Sequence, residues 1–408
     1  MRKYTFSFLA SLLLLSVGHE KESVRFLKKV AGNSLYESGC QLTHLASRGE
    51  LSQLCHLLTK EGINPNGAQA NLDEATLVPL VAAARFGNEQ MVQNLINHGA
   101  DPLRNEFPNN HNFIHAAAQH GHSRVLTLAK ELIPRDRFSI LIGSRDSEGR
   151  TPLRLAAWQG NVELIIELSK IVKDLGLDID QGDLENRSPL FAACYMQQID
   201  VVAALISQDA DPNRTDRDGR SPLNIAAVQN QLDIVHQLLG AGAAVNHGDL
   251  DGHSALHTAC FEQHIEIVKK LIEFQVDVDQ QDLSGISPLM AATTTGNVEL
   301  VDILLKAGAS LDFLDQECRN VLSIAAQQGH TQLVKKFLKL GLDDAHTDNG
   351  GWTPLHLVAA ENHSECAQVL LETGANPDQL DNDGRSPLII AAMEGHLSVV
   401  KCLLQVLF

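Results

Sequence analysis

Aromatic side chains are scarce in this chain of 408 residues, where two tryptophans, three tyrosines and thirteen phenylalanines make up 4% of the total. Its hydrophobic share of 44%, with few prolines and many alanines and leucines, points to a core of short helices packed through small side chains rather than to a β-sandwich. Basic charge is also short: 32 Lys and Arg stand against 50 Asp and Glu, a net charge of -18. Such a surface repels phosphate backbones and anionic lipid, which argues against nucleic acid and favours a neutral or basic partner. The seven cysteines are scattered, and none shows the Cys-x-x-Cys spacing of a zinc or redox site. They read as free thiols of a reducing compartment. Cys194 and Cys260 stand where neighbouring segments carry alanine or another small residue, the place of a small buried hydrophobe.

Chemistry is missing as well. No Gly-rich phosphate loop followed by Lys-Ser or Lys-Thr occurs, nor a Gly-x-Ser-x-Gly elbow. His111 and His115 lie four apart without the glutamate of a His-Glu-x-x-His site, and His120 and His122 merely flank Gly121. The sequence therefore assigns no catalytic residue, no metal and no cofactor, and the chain is not expected to be an enzyme. Past the apolar run Phe6 to Val17, no stretch has the length to cross a membrane.

What is present is a period. The phrases starting at Ser188, Ser221, Ser254, Ser287, Asn320, Thr353 and Ser386 recur every 33 residues, most of them as Ser-Pro-Leu or Thr-Pro-Leu. A fixed period of this length marks a solenoid of stacked units. One unit reads as follows. Asp216-Arg217-Asp218-Gly219 has turn chemistry. Ser221 can cap a helix that Pro222 begins, with Leu223, Ile225, Ala226 and Ala227 as its packing face. A second helix follows, with Ile234, Val235, Leu238 and Leu239 at helical spacing, and Gly240 to Gly242 end it.

With Trp352-Thr353-Pro354-Leu355-His356-Leu357, Gly395-His396-Leu397-Ser398-Val399-Val400 and Gly374-Ala375-Asn376, this unit resembles the ankyrin repeat. The resemblance implies an all-α ankyrin-repeat solenoid of helix-turn-helix units joined by short hairpin turns. It also places His257, His356, His330 and His396 at structural positions. Weaker copies at Thr151, Asn112, Val78 and Cys40 bring the total to about eleven repeats. The array is expected over residues 40–408, irregular over 40–182 and regular over 183–408. Extra residues from Leu126 to Asp146 and from Ser169 to Asp183 are expected to lengthen second helices or their loops on the outer side. Residues 315–404 further resemble long animal scaffolds of the ankyrin repeat domain-containing protein 50 and TANC type, in which the repeats follow an NTPase module absent here.

Residues 1–39 read either as a divergent N-terminal capping segment or as a leader, since Arg2-Lys3 and the apolar run after them have signal-peptide composition. Unpaired cysteines favour the cap and a cytoplasmic location; cleavage after Gly18 would make the protein secreted. The C-terminal edge after Gln405 reads as that of a piece of a longer polypeptide.

Binding residues in such an array recur at fixed places. Counting from the turn aspartate, the fifth place holds Arg150, Arg187, Arg220, His253 and Trp352, and the thirteenth holds Trp158, Tyr195 and Phe261. Tyr, Trp and Arg carry much of the energy at protein interfaces, so these eight residues are the expected partner-binding set. The alternative is that the aromatics fill gaps between first helices while the arginines bond turn aspartates such as Asp183, Asp216 and Asp249. The function expected is that of a non-catalytic adaptor or scaffold that grips a protein. A secreted toxin or host-directed effector, and the sensor arm of a larger NTPase-ankyrin protein, stand as alternatives.

Overall fold

The computed structural model describes residues 43–60, 64–66 and 78–407. The cap or leader expected over 1–39 lies outside them, as do Cys40 to Leu42 of the first repeat copy. Contacts divide the chain into two units, one ending at Ile179 and one beginning at Asp180. Each is a series of helix pairs, and among the described residues the extended backbone amounts to isolated bridges, Glu106 with His111 and Gly248 with Ser254.

In the second unit the pairs are Pro189–Tyr195 with Ile199–Ser207, Pro222–Val228 with Leu232–Gly240, Ala255–Phe261 with Ile265–Glu273 and Pro288–Thr295 with Val298–Lys306. Val321–Gln327 with Thr331–Lys339, Pro354–Ala360 with Ser364–Glu372 and Pro387–Met393 with Leu397–Leu407 complete it. In the first unit a helix over 43–48 precedes Leu51–Lys60. Then come Pro79–Arg85 with Glu89–Asn97, Phe113–His120 with Ser123–Leu132, and Pro152–Gln159 with Val162–Asp174.

The inner helices start where the sequence places a hydroxyl before proline. Ser188, Ser221 and Ser287 accept the backbone N–H three residues on, and proline takes the first turn, where its missing donor costs nothing. These helices are short because the chain must reverse at once into the outer helix. The reversal needs a left-handed residue, and that place recurs with the same period as Gln197, Asn230, Gln263, Gly296, Gly329, Asn362 and Gly395, all at positive φ. At Gly329 the need is also steric: a Cβ there would sit 2.5 Å from Nδ1 of His363 in the next repeat.

Packing explains the alanines. Ala226 and Ala227 are fully buried between consecutive inner helices, and Ile234, Val235 and Leu238 seal the outer helix onto them. Cys194 and Cys260 occupy alanine places, and burial pushes both thiols far above their ordinary value, so they behave as small apolar groups.

The two insertions differ. After Ser169 the outer helix is indeed longer, running thirteen residues from Val162 to Asp174 against nine for Ile199–Ser207. Between Leu126 and Asp146, however, the outer helix stops at Leu132 before Pro134, and a separate third helix forms, Arg135–Gly143. Proline cannot continue the ladder at that point. Phe138, Leu141 and Ile142 bury the new helix, and the Asn112 amide donates to the Leu141 carbonyl at 3.2 Å.

Leu223 and Leu355 are 1% and 0% exposed. Truncating either to alanine is expected to cost about 2–5 kcal/mol and to loosen the adjoining repeats with it. Urea titrations followed by circular dichroism read this directly, and an unchanged midpoint for both would contradict the register.

Candidate binding surface

Each turn is built on its aspartate. Asp216 Oδ1 accepts the backbone N–H groups of Asp218 and Arg220 at 3.0 and 2.9 Å. The same pair of bonds recurs at Asp146, Asp183, Asp249, Asp282, Asp315, Asp348 and Asp381. The second carboxylate oxygen is left for a side chain, and this is where the fifth place is spent. Arg150 Nε reaches Asp146 Oδ2 at 2.7 Å, Arg187 reaches Asp183 at 2.9 Å and Arg220 reaches Asp216 at 2.9 Å. The three arginines thus lock their own turns, the alternative left open by the sequence, while each guanidinium keeps one edge toward solvent. At Asp146 burial pushes the carboxyl pKa up, but hydrogen bonds from His111 and Arg150 outweigh it and hold the group well below the usual carboxylate range.

His253 and Trp352 use the fifth place differently, by reaching forward. The Trp352 indole N–H donates to Asp381 Oδ2 of the next turn at 3.1 Å, with the Arg385 guanidinium 5.9 Å above the ring. His253 Nε2 lies 3.2 Å from Asp282 Oδ2 of the next turn, and its ring meets Phe261 edge-on at 6.3 Å. Asp249, Asp251 and His253 bring potential ligand atoms within 4.8 Å of one another. Asp249 Oδ1, however, already serves the turn.

Seven of the histidines fall into two structural classes. At the ninth place, His257 Nδ1 accepts the Ser254 N–H at 3.2 Å while Nε2 donates to the Ile286 carbonyl of the next repeat at 3.0 Å. His115 and His356 make the same two bonds, to Arg150 and Arg385 carbonyls. At the head of the outer helices, His264, His330, His363 and His396 each bond back to a carbonyl at the end of the preceding inner helix.

The thirteenth place faces solvent more openly. In the second unit Tyr195 and Phe261 are half-buried, and Val228 between them is 43% exposed, on three consecutive inner helices that pack on one another. Trp158 belongs to the first unit, half-buried with the Arg154 guanidinium 5.1 Å from its ring centre. Sequence reasoning passed over Arg154, which is 2% exposed at the place a histidine fills in other repeats. It also passed over Leu250 and Leu283, each 67% exposed. Their signal was an apolar residue at the second place of a turn, where Arg217, Gln316, Asn349 and Asn382 stand elsewhere.

The family model for ankyrin repeats matches residues 80–170, 166–249, 223–315 and 322–406. The chain belongs to the ankyrin-repeat family. A rice protein, from Oryza sativa subsp. japonica, named probable E3 ubiquitin-protein ligase XBOS32, is 29% identical over 167 residues, which is 35% of this chain and 32% of the rice protein. The ankyrin chain thus spans about a third of that relative's length. The crystal structure of the human ASB11 ankyrin repeat domain is similar at a TM-score of 0.49 and 29% identity, over 54% of this chain and 98% of the other. These matches reach the ankyrin repeat and not the narrower likeness of residues 315–404 to long NTPase-bearing scaffolds.

Ninth-place histidines make the array acid-sensitive. Burial above all, and then neighbouring His111, pushes His115 from 6.5 down to about 4, and burial likewise lowers His257 and His356. A histidine held neutral in the fold contributes its stability above the free value near 6.5 and loses it as pH falls toward the folded value. Asn224 makes the same two bonds without a titratable group, accepting from Ser221 N at 3.1 Å and donating to the His253 carbonyl at 3.1 Å. His257→Asn is therefore expected to melt within about 2 °C of the parent at pH 7.5 and to lose less on going to pH 5. Equal losses for both proteins would show that His257 does not contribute.

Proposed function

We propose that this ankyrin chain is a non-catalytic scaffold or adaptor that holds a protein partner on its inner-helix face. The observation that carries the reading is the series Tyr195, Val228 and Phe261. These are apolar side chains at one place of three successive repeats, kept partly in solvent by helices whose own cores are otherwise filled with alanine. Rigid repeats lose little entropy on docking, so a modest apolar stripe can hold a partner. In the first unit the half-buried Trp158, with the buried Arg154 guanidinium 5.1 Å from its ring centre, offers an aromatic anchor of the kind found at interfaces. Net acidity favours a neutral or basic protein over nucleic acid.

Buried free thiols at Cys194, Cys260 and Cys366 fit a reducing compartment and support a cytoplasmic location. The rice protein is 29% identical over 167 residues, 32% of its own length, so we extend no ligase chemistry to this chain.

Affinity capture from cytosol with the parent and with Tyr195→Ala/Phe261→Ala tests the reading. Loss of two interface aromatics is expected to lower recovery of a specific partner at least about tenfold, with the melting curve retained. Equal recovery of every captured protein by both would remove the inner-helix stripe from the binding surface.

A further inference from the structure

Leu250 and Leu283 occupy the same place on two adjacent turn tips, each with two-thirds of its surface in solvent. Their backbones are not loose. Leu250 N–H donates to the Asp218 carbonyl at 3.0 Å and Leu283 N–H to the Asp251 carbonyl at 2.9 Å, so each tip is tied to the one before it. Gly252 brings its α-carbon so near that a Cβ there would stand 2.9 Å from the Leu283 nitrogen. Two leucines held outward by a fixed backbone form a small apolar ridge that the fold itself does not use.

Charge around this ridge departs from the rest of the unit. At Asp183, Asp216, Asp315 and Asp381 an arginine four residues on closes onto the second carboxylate oxygen. At Asp249 and Asp282 the fifth place holds His253 and Ile286 instead. One imidazole therefore spans both turns, 3.6 Å from Asp249 Oδ1 and 3.2 Å from Asp282 Oδ2, while Asp251 stands exposed beside Leu250. Each flanking turn answers its third-place acid with an arginine. Arg220 meets Asp218 at 2.6 Å on one side, and Arg319 meets Glu317 at 3.0 Å on the other. Negative charge is thus in surplus where the leucines project.

We propose that the tips over residues 249–286 dock a peptide segment of a partner protein in which an arginine stands between two apolar side chains. The guanidinium enters beside Asp249 and Asp251, supplying from outside the cation that four other turns supply from within, and the apolar neighbours cover Leu250 and Leu283. A planar fork donor suits this place because arginine already makes the equivalent contact elsewhere in the same unit. The inference rests on the protein-binding reading above but not on the residues tested there.

The probe is a display library of random dodecapeptides selected on the full chain, with enriched peptides then measured on three variants. His253→Arg fills the turn from within, as at Arg220, and is expected to fold with an unchanged or higher melting temperature. Leu250→Ser/Leu283→Ser removes the ridge, and Tyr195→Ala leaves both tips and the His253–Phe261 contact intact. The expected result is enrichment of peptides with arginine flanked by apolar residues. Their binding should fall at least tenfold on His253→Arg and on the double serine variant, and on replacing the peptide arginine by glutamate. Peptides that bind those two variants as well as the parent overturn the proposal, as do enriched sequences without a basic residue or a library from which nothing is enriched. Peptides lost only on Tyr195→Ala would also overturn it while leaving the inner-helix reading in place.

Discussion

A carboxylate at the base of the eight turns from Asp146 to Asp381 is the constraint from which the other features of this array follow. The backbone of the turn leaves two N–H groups pointing inward with no carbonyl to receive them, and an unpaired buried donor costs about as much as a lost hydrogen bond. One oxygen of the aspartate answers both, at 2.8–3.1 Å in the turns of the second unit from Asp216 to Asp381. Having been buried for that purpose, the carboxylate then needs a cation or a donor for its other oxygen, since a buried charge without a partner is costly. The identity of the fifth residue is the local answer. Arginine closes the turn on itself, whereas histidine and tryptophan reach forward and tie it to the next one.

Repeats are coupled by the same economy of donors. At His115, Asn224, His257 and His356 the inner helix has a side chain that receives from the cap residue behind and donates to the next turn's carbonyl ahead. Imidazole fits because its two nitrogens lie on opposite edges of one ring, and Asn224 fits because an amide carries both functions. A second histidine, at the head of the outer helix, bonds backward to the preceding inner helix. The repeats of His257 with His264 and of His356 with His363 are thereby held from both sides, and stability in such arrays is shared between neighbours rather than owned by one unit. The arrangement also makes the neutral imidazole part of the architecture at His115, His257 and His356.

In the proposed reading, recognition falls to places that neither the turns nor the clamps consume. These are the thirteenth residue, on the inner-helix face, and the second, at the turn tip. Neither is constrained to one chemistry by the backbone, and both vary along the chain: Tyr195, Val228 and Phe261 at one, Leu184, Arg217 and Leu250 at the other. Function in a repeat protein of this kind is written in the variable places, whose neighbours are fixed and whose exposure is assured by the regularity of what lies beneath.

The period, the turn aspartates, the caps and the alanine-lined cores were legible in the sequence because each repeat states them again. Each also answers a local demand, a free N–H, a tight reversal or a close helix approach, that the residue itself satisfies. The structural role of His257 and His356 was legible on the same ground. The sequence left undecided whether Arg150, Arg187 and Arg220 face a partner or a carboxylate, and it was silent on the outward set of Leu250 and Leu283. It also read the residues after Leu126 as a longer helix or loop, where Pro134 breaks the ladder and a third helix forms. These were matters for the tertiary structure. The partner of a side chain at a turn tip sits four residues away in its own turn or about thirty away in the next, and only the packing of one turn on another decides which it meets.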